Sequence, residues 1–288
     1  MFDVNEFREV LMSGALISRR RLLCGTTLAF AGLALPIPVA LAQLKDALAA
    51  QIGSPHRSPG NAARDKFRKP YEVLKFFGVT ESSRVAEILP GSGGYFTEIL
   101  APYLAEKGLY ITAGRHEGVP QTYTEDHKRM LEKYAANPAV FGKIQVTKFF
   151  KDDYEIAPPG SMDFVLTFRN MHNWIERNEI DGALKAFSMA LKPGGILGVT
   201  DHRGRTDMSQ DAQMKNGYIR QDFAIALIEK AGFQFIGSSE VKANPKDTKD
   251  YPEGVWSLPP TYRQKDVDRA RYEGIGESDR MVLKFVKR

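Results

Sequence analysis

Two groups of residues in this sequence have the types and the spacing that chemistry requires. The first begins with Glu87, which closes an apolar run, and continues four residues later with a glycine-rich turn at Gly91. Glycines let the backbone approach a ligand closely, helix N-terminal amides attract anions, and a carboxylate accepts protons from hydroxyl or amino groups. This order predicts a nucleoside-cofactor site with contacts from Glu87, Gly91, Ser92 and Gly93.

The second group contains two histidines and an aspartate. His172 and His202 follow two apolar runs that we predict to be neighbouring parallel strands, and Asp201 precedes His202. Since ligands bind at the carboxyl edge of such a sheet, we expect these side chains, with Arg169 and Asn170, at that edge. The histidines and Asp201 could form a general-base pair or supply three metal ligands. We favour acid–base catalysis and assign no metal.

The sequence predicts the elements that would bring these residues together. We predict strands at 84–89, 108–113, 144–149, 162–168, 195–201, 233–242 and 280–287, and main helices at 94–105, 123–136, 178–191 and 217–232. Strands that alternate with helices predict an α/β domain, here 81–288, with a doubly wound, mostly parallel sheet. Residues 43–80 are predicted as a helical extension. The proline-rich residues 243–279 are predicted as an ordered insertion that forms a lid or edge cover.

Composition narrows the range of partners. The chain has 288 residues and a formal net charge of +5, with Lys and Arg interspersed among Asp and Glu. This pattern indicates a solvated surface rather than a nucleic-acid site, so we predict a small-molecule substrate and no nucleic-acid partner. Beyond residue 50 no segment is long and apolar enough to span a bilayer. The oligomeric state is not indicated by these patterns.

The glycine turn does not match a dinucleotide site. A nicotinamide-binding turn requires a third glycine where Phe96 stands, and an acid closing the second strand, which residues 110–115 lack. The acid and glycine turn instead resemble the first motif of class I S-adenosylmethionine-dependent methyltransferases. Leu-Lys-Pro-Gly-Gly at 191–195 resembles that family's turn into its fifth strand, and 163–167 resembles its fourth strand.

This resemblance covers roughly residues 61–242 and 280–287 and implies a fold and a cofactor. The implied fold is a Rossmann-like sheet of seven strands with an antiparallel last strand, and the implied cofactor is S-adenosylmethionine. Pro90 and Tyr95 would join the cofactor contacts of the glycine turn, and Arg169 and Asn170 would contact the cofactor from the end of the fourth strand. Asp152 and Asp153 stand where the family holds adenine, although they could equally occupy a solvated loop.

Three segments resemble a narrower group, exported predicted methyltransferases of unidentified substrate. They are Arg64–Pro70, Phe168–Trp174 and Gly276–Arg280. The resemblance implies a methyltransferase that acts on a small molecule. Leu89, however, stands where the family usually has its first glycine, and the ribose-binding acid after the second strand is missing. These departures favour an alternative, an exported ligand-binding protein that keeps the fold without catalysis.

The first 42 residues have the pattern of an export signal. Arg19 and Arg20 precede an apolar stretch at 22–41, which ends in the small-residue cleavage pattern Ala-Leu-Ala before Gln43. This arrangement resembles a twin-arginine signal peptide, and it predicts a periplasmic or otherwise exported protein without stable membrane insertion after cleavage. A buried helix or a membrane anchor is the alternative. Cleavage would also remove Cys24, the only cysteine.

Overall fold

The structure is a computed structural model that describes residues 46–115 and 121–288. The predicted signal peptide at 1–42 lies outside the described residues. Among the helices that the structure describes, none combines the length and the apolar character needed to cross a bilayer.

In the described part of the chain, eight strands form one sheet in the order β4-β3-β2-β1-β5-β6-β8-β7. The strands are β1 (Arg84–Ile88), β2 (Leu109–Gly114), β3 (Gln145–Phe150), β4 (Asp153–Glu155), β5 (Met162–Phe168), β6 (Leu191–His202), β7 (Phe233–Ser239) and β8 (Arg280–Lys287). Strands β3, β2, β1, β5 and β6 are parallel, whereas β8 runs antiparallel to both β6 and β7. The predicted mostly parallel sheet and antiparallel last strand are confirmed.

The predicted number of seven strands is wrong because β4 was missed. This three-residue strand pairs antiparallel with β3, with Phe150 opposite Asp153. The turn between them places Asp152 at φ 61°, a left-handed conformation that aspartate tolerates better than most residues. Three residues are too few for an alternating pattern to be recognised in sequence.

The helices pack apolar side chains on both faces of the sheet. They are α1 (Ala47–Ile52), α2 (Pro59–Ala62), α3 (Asp65–Arg68), α4 (Pro70–Phe77), α5 (Thr97–Leu104), α6 (Gln121–Ala136), α7 (Pro138–Phe141), α8 (Met171–Glu176), α9 (Ile180–Ala190), α10 (Gln210–Met214), α11 (Gln221–Lys230) and α12 (Arg269–Ile275). Successive strand residues point to opposite faces, so Val85 and Leu166 belong to one core cluster while Ala86 and Val165 belong to the other.

The insertion at 243–279 is ordered and contains its own small core. A 3₁₀ helix (Gly254–Ser257) and α12 are its regular elements, and Tyr251, Leu258 and Tyr272 form a buried cluster within it. The Asn244 side chain donates hydrogen bonds to the carbonyl oxygens of Ile275, at 3.0 Å, and Glu277, at 2.7 Å. These bonds join the beginning of the insertion to its end.

The glycine turn after β1 is longer than predicted. Helix α5 begins at Thr97 rather than near residue 94, and the residues from Gly91 to Phe96 form turns. Gly91 and Gly94 adopt left-handed conformations, with φ of 69° and 54°. Leu89 is also left-handed, at φ 50°, which costs a side-chain-bearing residue about 1–2 kcal/mol.

The strain at Leu89 can be measured with a pair of substitutions. Leu89→Gly and Leu89→Ala both remove the packing of the side chain, but only glycine adopts φ 50° without strain. We expect Leu89→Gly to exceed Leu89→Ala in free energy of unfolding by about 1 kcal/mol in urea denaturation. At exposed Lys185 in α9, the same pair should give the opposite order, because alanine is the better helix former. If Leu89→Ala were as stable as Leu89→Gly, the backbone at this position would not be strained.

Candidate active site

A cavity of about 360 Å³, which we name the glycine-loop cavity, lies beyond the carboxyl ends of β1, β2 and β5. The chain order reverses between β1 and β5, the position where open α/β sheets bind ligands. Its volume lies in the range of small-molecule sites. The predicted contact residues that line it are Glu87, Pro90, Gly91, Ser92, Gly93, Tyr95, Arg169 and Asn170.

Glu87 lies at the buried side of the glycine-loop cavity. The residue is 3% exposed, and its carboxyl group accepts hydrogen bonds from the hydroxyls of Tyr110 and Thr97. Burial raises the pKa of Glu87 to about 7, while the two hydroxyls act in the opposite direction. The carboxyl group can therefore exchange a proton near neutral pH.

The N-terminal helices hold the glycine turn in place. Asn61 donates a hydrogen bond from Nδ2 to the carbonyl oxygen of Gly93 at 2.9 Å, and the Tyr95 hydroxyl donates to Asp65 Oδ1 at 2.5 Å. From the other side, Lys133 Nζ donates to the same Gly93 oxygen at 2.7 Å. The helical extension is therefore part of the site, a role that local sequence patterns did not indicate.

Asn170 joins two strand ends under the same cavity. Its Nδ2 donates a hydrogen bond to the carbonyl oxygen of Ile88, the last residue of β1, at 2.9 Å. The preceding residue, Arg169, has φ 64°, and its backbone N–H donates to Thr200 in β6 at 2.7 Å. These bonds fix the residues after β5 against both neighbouring strands.

Asp152 and Asp153 do not line the glycine-loop cavity. They lie at the β3–β4 hairpin, and β3 is separated from β1 by β2. The missed strand β4 explains the difference, because it turns this segment into a hairpin instead of a loop over the cavity. Asp126, on α6, is a carboxylate that does line the cavity, and the backbone N–H of Ser92 donates to its Oδ1 at 3.3 Å.

A second cavity, of about 120 Å³, contains the predicted histidines, and we name it the histidine cavity. Both histidines and Arg169 line it, and Arg169 also lines the glycine-loop cavity. Trp256 from the insertion covers it, with its ring 6.1 Å from that of His172. The insertion therefore contributes a wall of this cavity.

His172 and Asp201 form a buried hydrogen-bonded pair. Asp201 Oδ1 lies 2.8 Å from His172 Nδ1, and Asp201 Oδ2 accepts from the backbone N–H of His172 at 3.1 Å. A carboxylate in this position keeps the proton on Nδ1 and leaves the Nε2 lone pair to accept one. In this structure the side-chain amide of Asn173 lies 3.0 Å from that Nε2.

His202 lies beside this pair, its ring 5.2 Å from the ring of His172. Its Nδ1 is 2.5 Å from the hydroxyl oxygen of Ser278, at the end of the insertion. Burial, followed by the charges of His172 and Arg280, lowers the pKa of His202 well below its usual value. The imidazole is therefore neutral at physiological pH and can accept a proton.

The same three residues also satisfy the geometry of a metal site. One ligand atom from each of His172, Asp201 and His202 lies within 4.8 Å of the others. Asp201, however, already accepts hydrogen bonds from the backbone N–H groups of His172 and His202 and from the ring of His172. The neighbouring guanidinium groups of Arg169 and Arg280 would also repel a cation. These contacts favour the acid–base interpretation.

The raised pKa of Glu87 predicts a pH-dependent stability. A carboxyl group whose pKa is higher in the folded protein stabilises the fold fully below its unfolded pKa, and loses that effect as pH rises through the folded value. Between pH 4.5 and 8, the free energy of unfolding of the wild type should fall by roughly 3 kcal/mol relative to Glu87→Gln. Urea denaturation across this range measures the difference.

The control is Glu132→Gln, the same change at an exposed position of α6. It should follow the pH dependence of the wild type. If the difference in free energy of unfolding between the wild type and Glu87→Gln stayed constant across the whole pH range, it would contradict a pKa of Glu87 raised by burial.

Comparison with known proteins gives the fold. No family model and no curated protein matches the chain. Among solved structures, it is similar to a SAM-dependent methyltransferase from Aquifex aeolicus, with 18% identity and a TM-score of 0.53 over 80% of this chain and 94% of that one. It is also similar to the [4+2]-cyclase SpnF, with 15% identity and a TM-score of 0.51 over 76% and 80% of the two chains. The chain has the α/β fold of these proteins.

Proposed function

We propose that this protein is an S-adenosylmethionine-dependent methyltransferase that acts on a small molecule. The observation that carries the proposal is the position of Arg169, which lines both the glycine-loop cavity and the histidine cavity. A cofactor site and a site for a methyl acceptor must adjoin in such an enzyme, because methyl transfer is a direct displacement between aligned groups. The fold similarity alone does not decide the reaction, since a cyclase shares it.

The residues around the glycine-loop cavity fit this cofactor. Glu87 would accept hydrogen bonds from its amino group, and the turn at Gly91 lets the backbone approach it closely. Asp126, which also lines the cavity, would accept hydrogen bonds from ribose hydroxyls in place of the acid missing after β2. When bound, S-adenosylmethionine supplies a methyl group activated by its sulfonium.

The histidine cavity supplies the base that a hydroxyl or amine acceptor needs. His172 would take the acceptor's proton at Nε2, and Asp201 would stabilise the resulting imidazolium through Nδ1. His202, held neutral by its surroundings, provides a second proton acceptor in the same cavity. The side-chain amide of Asn173 would have to yield its contact with His172 Nε2 to the acceptor.

The departure at Leu89 does not argue for loss of catalysis. The residue adopts φ 50°, a conformation that glycine adopts easily, and the chain continues into the glycine turn. The intact pair of His172 and Asp201 also supplies the proton acceptor that catalysis on a hydroxyl or amine would use. Both observations favour an enzyme over the silent binding protein.

Binding measurements on purified protein test the proposal. We expect calorimetry at pH 8 to detect binding of S-adenosylhomocysteine. Glu87→Gln should weaken this binding about tenfold or more, because an ionised hydrogen-bond acceptor is lost. His172→Ala should keep the affinity within about twofold of the wild-type value, because His172 lines the histidine cavity and not the glycine-loop cavity.

A folded wild-type protein that binds neither S-adenosylhomocysteine nor S-adenosylmethionine would overturn the proposed enzyme. Loss of binding in His172→Ala, together with retention in Glu87→Gln, would reverse the two assigned roles. Circular dichroism and urea denaturation of each variant establish that the protein is folded.

We also propose that the protein is exported by the twin-arginine route, on the basis of Arg19, Arg20 and the apolar stretch that follows. Replacing both arginines by lysine should keep the protein in the cytoplasm, whereas Arg21→Lys should leave export unchanged. Immunoblots of periplasmic and cytoplasmic fractions measure this. Equal export of the double variant and the wild type would contradict the proposal.

A further inference from the structure

A cluster of positive side chains lies where the two cavities meet. Arg64 and Arg68 line the glycine-loop cavity, Arg280 lines the histidine cavity, and Arg169 lines both. Lys242, which follows β7, is buried, and the charges of Arg280, Arg68 and Arg169 all affect it. We name these residues the cationic cluster.

Among the described residues, Glu277 is the carboxylate in ion-pair contact with the cationic cluster. It lies 2.5 Å from Arg64 Nε, 2.5 Å from Arg280 Nη1 and 3.4 Å from Arg68 Nε. Arg169 and Lys242 form no ion pair with any residue in 46–115 or 121–288. The positive charge of the cluster therefore exceeds the negative charge in contact with it.

Most of the cluster is buried, which makes its excess charge costly. Arg280 is 1% exposed, Lys242 5% and Arg68 6%, while Arg169 is half-buried. Within the described chain, Arg280 Nε and Arg64 Nη2 are buried and donate no hydrogen bond. Buried charges without partners cost several kcal/mol each, roughly, so such a cluster is stabilised by an anion that binds between its members.

The electrostatics of the other groups agree with this charge imbalance. Burial, followed by the charge of Arg280, lowers the pKa of Arg169 to about 10 and that of Lys242 well below its usual value. The carboxyl groups of Glu87, Asp126 and Asp201 also lie near the cluster, but within the described chain none forms an ion pair with it. Asp201 accepts hydrogen bonds from His172 and His202, Asp126 lies 3.6 Å from Arg129 on its own helix, and burial raises the pKa of Glu87 to about 7.

We propose that the methyl acceptor is an anion whose carboxylate or phosphate group binds to Arg169 and Arg280 in the histidine cavity. Both guanidinium groups border this cavity beside His172 and His202. A planar guanidinium donates two parallel hydrogen bonds to such a group, which makes arginine the preferred ligand for it. The inference rests on the proposed methyltransferase function in one respect, the identification of the anion as the methyl acceptor. The anion site itself can be tested independently of that function.

The test is calorimetry with inorganic phosphate, at constant ionic strength, with and without saturating S-adenosylhomocysteine. We expect phosphate to bind in both conditions. Arg169→Gln should weaken phosphate binding about tenfold or more, and Arg169→Lys should retain part of it because the charge remains without the planar fork. The matched control is Arg205→Gln, because the side chain of Arg205 is 40% exposed, pairs with Asp207 and lines neither cavity; this variant should bind phosphate like the wild type.

Thermal denaturation provides a second measurement if a variant is poorly stable. Phosphate should raise the Tm of the wild type and of Arg205→Gln but not that of Arg169→Gln. Because Arg169 is not in an ion pair with the described residues and lies among like charges, its replacement should leave the phosphate-free protein folded.

Three results would separate the possibilities. If S-adenosylhomocysteine abolishes phosphate binding, the cluster holds the carboxylate of the cofactor and the acceptor inference is overturned while the methyltransferase proposal stands. If phosphate does not bind, or binds equally to Arg169→Gln, the anion site is overturned. If phosphate binds through Arg169 but S-adenosylhomocysteine does not bind, the anion site stands and the methyltransferase proposal fails.

Discussion

The carboxylate of Glu277 joins parts of the chain that are far apart in sequence. Arg64 and Arg68 reach it from the N-terminal helices, and Arg280 reaches it from the first residue of β8. These contacts hold the helical extension, the end of the insertion and the sheet together at the boundary of both cavities. The buried arginines also lower the pKa of Glu277 well below its usual value against the effect of burial, so it stays ionised. Removing it would leave three guanidinium groups without their shared anion.

The parallel sheet brings the remaining groups to this boundary. The strands β1, β5 and β6 are parallel neighbours, so Glu87, Arg169 and Asp201 all lie near one edge of the sheet. The chain then completes the site from outside the sheet. The N-terminal helices hold the glycine turn through Asn61, and the insertion covers the histidines with Trp256. The glycine-loop cavity, lined by Glu87 and the glycine turn, therefore adjoins the histidine cavity, lined by His172 and His202.

The positive field around the histidines has two consequences for chemistry. It contributes to the low pKa of His202, which keeps this imidazole neutral and available as a base. It also favours an anionic ligand, which would balance the charges of Arg169 and Arg280. Burial acts on both groups in the same direction, because it disfavours any uncompensated charge. A base and an anion site can thus share one small cavity.

The sequence by itself determined the order of the main strands and helices, the glycine turn beside Glu87, and the placement of His172, Asp201 and His202 at one edge, because periodicity and turn chemistry are local. Only the tertiary structure decided the strand β4, the left-handed backbone at Leu89, and the contacts of Arg64, Arg68 and Arg280 with Glu277. The sequence motifs that contain these arginines and Glu277 were recognised, but Arg64 and Glu277 are 213 positions apart. Which charges share a buried anion depends on packing across the whole chain, and no local pattern carries that information.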